Sequence, residues 1–436
     1  MESITKNNKS IIRGWAMFDW ANSAYNLVIT STIFPAYYTI ITTTEEHGDR
    51  VDFFGFTFIN TALANYSLAF SYLIMVLILP VLSSIADYRG NRKQLMKLFT
   101  YLGAFACMAL YFFKYETLEL GIICSSLAAM GYIGGVLFNN SYLPEIATVD
   151  KQDQVSAKGF AYGYVGSVIL QIICFIFVIK PEWFGITDGS FPARFSFLLV
   201  GLWWVLFSQV SFRVLPDSLK HQKDFKREVL KKGFIELKKV WISIKNIPVL
   251  KRFLTAFFFY AMGVQTIMLV SAAFGEKVLG LGASKLIATI LAIQLVAIAG
   301  AYLMSWMVRI IGNIKVLMLV VLLWIVVCLS AFVINNEVQF YILAILVGLV
   351  MGGTQSISRS TFSKLIPEQT EDTTSFFSFY DVTEKIAIVI GLFTFGFVEE
   401  LTGNIRTSAL FLAIFFALGF LFLLRVPKVS VLQKAN

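Results

Sequence analysis

The sequence predicts an all-α integral membrane protein of twelve transmembrane helices in two six-helix bundles, and three observations predict it. Charged residues make up 14% of the 436-residue chain, against about 25% in ordinary soluble domains, and mean hydropathy is +0.74. Twelve apolar runs recur along the chain, each able to cross a hydrocarbon core of about 30 Å as a helix. Short stretches of the first half return in the second at a near-constant offset, which marks a duplicated unit.

The first run, 13–40, is too long for the apolar region of a secretory signal and no A-x-A-like site follows it, so it is expected to remain as a span. The next, 58–82, follows a loop with Glu45, Glu46, Asp49 and Asp52 against Arg50 alone. Runs at 95–113, 119–142, 157–180 and 193–214 complete a first bundle over residues 1–215. A basic linker, 216–248, then leads to a second bundle over 249–436, with runs at 249–274, 285–309, 314–334, 338–363, 376–398 and 407–425.

Charge orients these spans. Residues 216–252 hold eleven Lys or Arg against four acids, and Lys6, Lys9, Arg13, Arg425, Lys428 and Lys434 flank the ends. The positive-inside rule places both termini, the 83–97 loop and the linker in the cytoplasm, with a bacterial plasma (inner) membrane as the expected location. The linker is helix-like, poor in aromatics and tethered between spans, so its expected partner is anionic lipid rather than nucleic acid. Cys107, Cys124, Cys174 and Cys328 all fall inside spans, which argues against disulfides. His47 and His221 sit in separate loops without co-ligands, so no metal is expected.

The duplication is specific. SSIADYRGNRK, 83–93, closes the second span and SWMVRIIGNIK, 305–315, closes the eighth, an offset of 222; LPE at 143–145 and IPE at 366–368 end spans four and ten at an offset of 223. Two six-span bundles repeated in one orientation are the pattern of transporters that alternate access by rocking one half against the other.

The stretch 83–93 resembles the loop signature of the major facilitator superfamily, a Gly, then Asp, a basic residue, any residue, Gly and two basic residues. Ser83 stands at the first Gly, Asp87, Gly90 and Arg92 match, and Tyr88 and Asn91 replace basic positions. MFDWANSAY from residue 17, GGTQSISRSTFSKLIPE at 352–368 and SFFSFYDVTEK at 375–385 sharpen this. Together they resemble the branch that holds the fungal vacuolar amino-acid effluxers of autophagy and their bacterial relatives. The resemblance implies twelve helices, no cofactor and secondary transport; in fungal members it implies amino-acid export from the vacuole. For Asp87, Gly90 and Arg92 it implies conformational control, a gate. Arg309 occupies the place of Asp87 in the second copy, so the two gates are not expected to be identical.

Helical spacing gathers the intramembrane polar residues into stripes, because i, i+3, i+4 and i+7 share a face. Asp19, Asn22, Ser23 and Asn26 form one; Gly352, Gln355, Ser356, Arg359 and Ser363 form another. In span four Gly131, Gly135, Asn139 and Tyr142 align, the glycines being read as packing positions. Tyr380, Thr383 and Glu384 share a face of span eleven, and Asp381 lies four residues before Lys385, the order that favours a local ion pair. Asp19, Arg359 and Glu384 fall at similar depths of about 8 to 12 Å from the cytoplasmic edge. Charges at that depth face the bundle interior and pair or meet water.

Two readings of these charges stay open, a substrate-binding or coupling set in a central cavity and a structural charge lock. Asp19, Arg359, Glu384 and Lys385 sum to zero, which suits a zwitterionic solute; Asp19 and Glu384 are candidates for proton coupling. The expected protein is a monomeric transporter of a small polar solute, amino acids or related metabolites first. Export of a sugar, peptide, nucleoside or drug-like compound, or a non-transporting receptor, are the alternatives. An enzyme is not expected, since no H-E-x-x-H motif or G-x-S-x-G elbow occurs.

Overall fold

The structure is a computed structural model that describes residues 6–44, 48–217, 226–368, 370 and 372–427. Glu45, Glu46, His47, His221, Lys428 and Lys434 lie outside the described residues.

The first span is two helices. α1 (Lys9–Tyr25) runs into a π-helical turn at Asn26–Thr30, and α2 (Ile33–Thr42) resumes beyond Ser31 and Thr32. An i→i+5 ladder leaves carbonyls without their usual partners, which is costly in lipid unless local groups satisfy them. Here the Ser31 hydroxyl donates to the Asn26 carbonyl (2.9 Å) and Thr32 Oγ1 lies 2.8 Å from the Leu27 carbonyl. A short antiparallel hairpin follows, β1 (Arg50–Phe53) on β2 (Phe56–Ile59). Then come α3 (Asn60–Arg89), α4 (Arg92–Ala109), α5 (Leu118–Asn140), the single turn α6 (Leu143–Ile146), α7 (Gln152–Ile179) and α8 (Phe191–Val214). Linker helix α9 (Lys226–Asn246) leads to α10 (Pro248–Leu279), α11 (Ala283–Ile311), α12 (Asn313–Val333), α13 (Glu337–Leu365), α14 (Thr373–Thr402) and α15 (Ile405–Leu423).

Among the described residues ten helices are long and apolar enough to cross a membrane. The remaining two expected spans are the interrupted α1–α2 and α14, which carries Asp381, Glu384 and Lys385 in its middle. Exposed apolar side chains such as Leu77, Phe393 and Ile342 cover the outer surface, as a lipid-facing wall requires. The four cysteines are buried and unpaired.

Glycine sets the tight approaches. A Cβ at Gly352 of α13 would collide with the Ala297 carbonyl of α11, and one at Gly131 of α5 with the Gly103 backbone of α4, so these helices touch backbone to backbone. Gly90 (φ 65°) ends α3 and Gly312 (φ 84°) ends α11, a backbone that a side chain with Cβ rarely adopts. The duplicated Gly-Asn pair is therefore a duplicated helix stop.

Helix α9 docks one side on the bundle. Val240 and Ile244 are buried, and Trp241 stacks on Phe379 of α14 at 5.5 Å between ring centroids. Val240 and Ile244 find protein, while Ile235, Ile242, Lys238 and Lys245 stay exposed. The face of the bundle that carries α9 and the start of α1 is called the terminal face below; the hairpin lies at the opposite end.

Candidate functional site

The two halves enclose a cavity of about 420 Å³, lined from both sides and reaching Ser31, Pro35, Ala272 and Ala273 toward the hairpin end. The stripe on α1 faces it: Asp19, Asn22, Ser23 and Asn26 all line the wall, with Leu27 beside them, while Phe18 and Val28 are buried outside the lining. Gln355, Arg359, Tyr380, Asp381, Glu384 and Lys385 line it from the second half.

Arg359 is the hub. Its Nη1 lies 3.1 Å from Asp19 Oδ2 and 3.0 Å from Asn140 Oδ1, Nε donates to Ser156 Oγ (3.0 Å), and Nη2 donates to the Ser156 carbonyl (2.8 Å). The guanidinium is sandwiched by Trp15 (4.7 Å) and Phe160 (4.1 Å). A buried charge persists only when paired and hydrogen-bonded, and this one has a carboxylate, three polar partners and two π faces. Ser156 Oγ in turn donates to the Ser356 carbonyl (2.7 Å), so α7 and α13 are stitched together at this level.

Space for the pair comes from α7. A Cβ at Gly159 would lie 2.5 Å from Asp19 Oδ2 and 2.7 Å from Arg359 Nη2, and one at Gly163 would lie 2.5 Å from Ser23 Oγ. Ser156, Gly159 and Gly163 were not singled out in the sequence, although their spacing of three and four residues marks one small helical face.

A second ion pair sits on α14. Lys385 Nζ lies 2.7 Å from Glu384 Oε2, and Gln265 of α10 donates to Glu384 Oε1 at 2.8 Å. The sequence paired Lys385 with Asp381, and the structure corrects that. The flexible lysine stem reaches over the Tyr72 ring (5.9 Å) to the neighbouring acid, which Gln265 holds in place. Asp381 is buried, and its Oδ2 has no hydrogen-bond partner.

Asn139 is the second correction. It is fully buried outside the cavity lining, with its amide 3.4 Å from Asp19 Oδ1 and its carbonyl accepting from Trp15 Nε1 (2.7 Å); Asn140 lines the cavity instead. Tyr380 stacks on Phe257 at 4.2 Å, and Gln355 Oε1 accepts from Tyr164 of the other half at 2.5 Å.

At the terminal face Asp87 and Arg92 join the halves. Asp87 Oδ2 accepts from the Ser375 N–H and from its hydroxyl, both at 2.7 Å, and Oδ1 accepts from the Thr374 N–H at 3.2 Å. These are the first N–H groups of α14, where unsatisfied donors and the helix dipole both favour a carboxylate. Arg92 makes a two-pronged bond to Glu145 (2.6 Å for each prong), lies over the Tyr142 ring at 3.7 Å, and contacts Thr373 Oγ1 at 3.3 Å. In the second copy Arg309 is exposed. Asp153, in the first turn of α7, instead accepts from Asn313 Nδ2 (2.7 Å) and pairs with Lys364 of α13.

Residues 7–435 match the family described as vacuole effluxer Atg22-like. The chain belongs to that family. A Bacillus subtilis protein described as an uncharacterized MFS-type transporter, YxiO, is 30% identical over 98% of this chain and 96% of its own length. Autophagy-related protein 22 of Kluyveromyces lactis is 25% identical over 83% of this chain and 79% of its own. Among solved structures, the proton:xylose symporter XylE superposes with a TM-score of 0.73 at 12% identity, covering 96% of each chain. FucP in its outward conformation superposes at 0.69 and 14%, covering 96% of this chain and 100% of its own. The fold is that of the major facilitator superfamily, and the protein is a multi-pass membrane transporter of that type rather than an enzyme.

Proposed function

We propose that the protein is a secondary active transporter of small zwitterionic solutes, amino acids or close relatives, working by alternating access and driven by a proton gradient. The observation that carries this reading is the pair of balanced ion pairs, Asp19–Arg359 and Glu384–Lys385, on the wall of one cavity between the halves. An arriving carboxylate exchanges with Asp19 for the guanidinium, and an arriving ammonium exchanges with Lys385 for Glu384. Exchange of partners avoids stranding a desolvated charge, which is the large cost in a buried site. The effluxer description of the family supports transport of a small solute, and the proton coupling named for XylE supports the driving ion.

Positive-inside orientation puts the terminal face in the cytoplasm. The cavity then opens to the outside, and the terminal-face contacts are the closed inner gate. Opening that gate, with closure at the hairpin end, delivers the solute across a bacterial plasma membrane. Asn22, Ser23, Asn26 and Gln355 offer neutral hydrogen bonds along the path, and Tyr380 offers an aromatic face.

The test is uptake into liposomes of amino acids, peptides, nucleosides and sugars, with and without a pH gradient. Amino-acid accumulation that needs the gradient is expected, and Arg359→Gln should abolish it. Accumulation of another class alone would overturn the solute assignment; accumulation indifferent to the gradient would overturn the coupling.

A further inference from the structure

We infer that Asp381, rather than Asp19 or Glu384, carries the coupling proton, and that an arriving ammonium displaces this proton, making the protein a proton–solute exchanger. The inference rests on the transport reading above and deepens it. Three acids line the cavity, Asp19, Asp381 and Glu384, against two bases, Arg359 and Lys385. Both bases are committed. Arg359 holds Asp19, whose other oxygen faces the Asn139 amide, and Glu384 has one oxygen on Lys385 and the other on Gln265. The remaining acid is 3% exposed, and its Oδ2 is buried without a donor. An ionised carboxylate so placed has no hydrogen bond at Oδ2 and must share Lys385 with Glu384, and a proton supplies the neutrality the cavity needs.

The groups facing Asp381 leave this conclusion in place. On its own helix stand Tyr380, Glu384 and Lys385, and the charges acting on it are Lys385 and Glu384. Tyr72 of α3, Tyr132 of α5 and Tyr260 of α10 present phenols to the same region. The ionisable side chain of α15, Arg406, bonds the Phe332 carbonyl at the hairpin end, and Lys239 of α9 pairs with Asp372 before the start of α14.

The coupling follows from helix geometry. Asp381 and Lys385 are four residues apart on one face. While Lys385 serves Glu384, Asp381 keeps its proton. When a solute ammonium takes Glu384, Lys385 is released and swings one turn to Asp381, and the acid's O–H proton passes to cavity water. The solute's own carboxylate enters with the ammonium, so binding adds no net charge, and the departing proton leaves Asp381 ionised on Lys385. Solute and proton therefore compete for the open cavity, which is the requirement for exchange.

Two measurements test this on the full-length protein. Infrared spectra of the detergent-solubilised, solute-free protein at neutral pH should show a protonated buried carboxyl band that disappears in Asp381→Asn and persists in Glu384→Gln. In liposomes, Asp381→Asn should lose pH-gradient-driven accumulation of an amino-acid mixture, and an unfolding midpoint in detergent at or above the parent's shows that the variant is folded. A band unaltered by Asp381→Asn, gradient-driven accumulation in that variant equal to the parent, or accumulation that needs sodium instead of a pH gradient would each overturn the inference. If the parent moves no amino acid, the solute reading fails, while the infrared band still reports whether Asp381 holds the proton.

Discussion

The two copies of the duplicated stretch, 83–93 and 305–315, both stop a helix at a positive-φ glycine, Gly90 at ψ 29° and Gly312 at ψ 158°, and differ in chemistry. Each ends a long helix on a glycine with positive φ, Gly90 and Gly312, followed by an asparagine that opens the next helix. In the first copy the acid sits on the stretch itself, and Asp87 reaches across to the free N–H groups of α14. In the second the corresponding residue, Arg309, is exposed, and the acid has moved to the receiving helix, where Asp153 of α7 binds Asn313 and Lys364. The difference teaches that duplication preserves what the backbone needs, a stop and a turn, while charge is free to migrate as long as each helix N-terminus keeps an acid. It also makes the two latches unequal. The Asp87 latch is a carboxylate on backbone donors, whereas the Asp153 latch is a desolvated ion pair with both side chains under a tenth exposed.

That inequality predicts the largest effect for the second latch. Lys364→Met strands Asp153 in a buried site and should cost about 3 to 5 kcal/mol, read as a lowered unfolding midpoint in detergent. The double variant Asp153→Asn, Lys364→Met should recover most of the loss, because replacing both partners of a buried pair is often close to neutral. If the single and double variants fall equally, the pair is not the unit that matters and the comparison fails.

Asp87→Asn should have a smaller effect of a different kind. The amide oxygen still accepts on one side, but the NH2 replaces an oxygen that accepted from α14, so charge at a helix N-terminus and at least one hydrogen bond are lost, at least about 1 kcal/mol. That is enough to shift an equilibrium between open and closed terminal faces by about fivefold. Spin labels on the terminal ends of α3 and α14 should show a larger fraction of long distances, with the unfolding midpoint nearly unchanged. Labels that stay at the parent distance would mean the Asp87 latch does not control opening.

Much of this arrangement was legible in the sequence, and the exceptions have physical causes. The α1 stripe and Arg359 could be read because helical spacing alone puts Asp19, Asn22, Ser23 and Asn26 on one face, and lipid excludes charges from the other. Asn139 was misassigned by extending the glycine row of α5. That row faces other helices, with Gly131 against Gly103 and Gly135 against Phe18, so its continuation points into packing; the next residue, turned by about 100°, reaches the cavity. The Glu384–Lys385 pair was missed because neighbours in sequence do not share a helix face, and only the cavity and Gln265 bring them together. Ser156 and Gly159 carry no chemical flag by themselves. Their part depends on an arginine more than two hundred positions away.

The smallest expected effect lies between the latches and the open end of the cavity. Tyr164 of α7 donates to Gln355 of α13 at 2.5 Å, a single neutral bond between the halves at the level where Arg359 no longer reaches. Tyr164→Phe removes one hydroxyl, and Gln355 Oε1 lines a cavity that can supply water in its place. The net loss should therefore stay near 1 kcal/mol or below, with little change in the unfolding midpoint. Transport can respond more clearly than stability, because this bond must break whenever the halves rock, while separate contacts hold the closed terminal face. A modest rise in the amino-acid uptake rate of the liposome assay, with the label distances at the terminal face unchanged, is the expected outcome. Should the terminal face open as far as in Asp87→Asn, the Tyr164–Gln355 contact belongs to the gate, and the division between the terminal latches and this central bond would have to be abandoned.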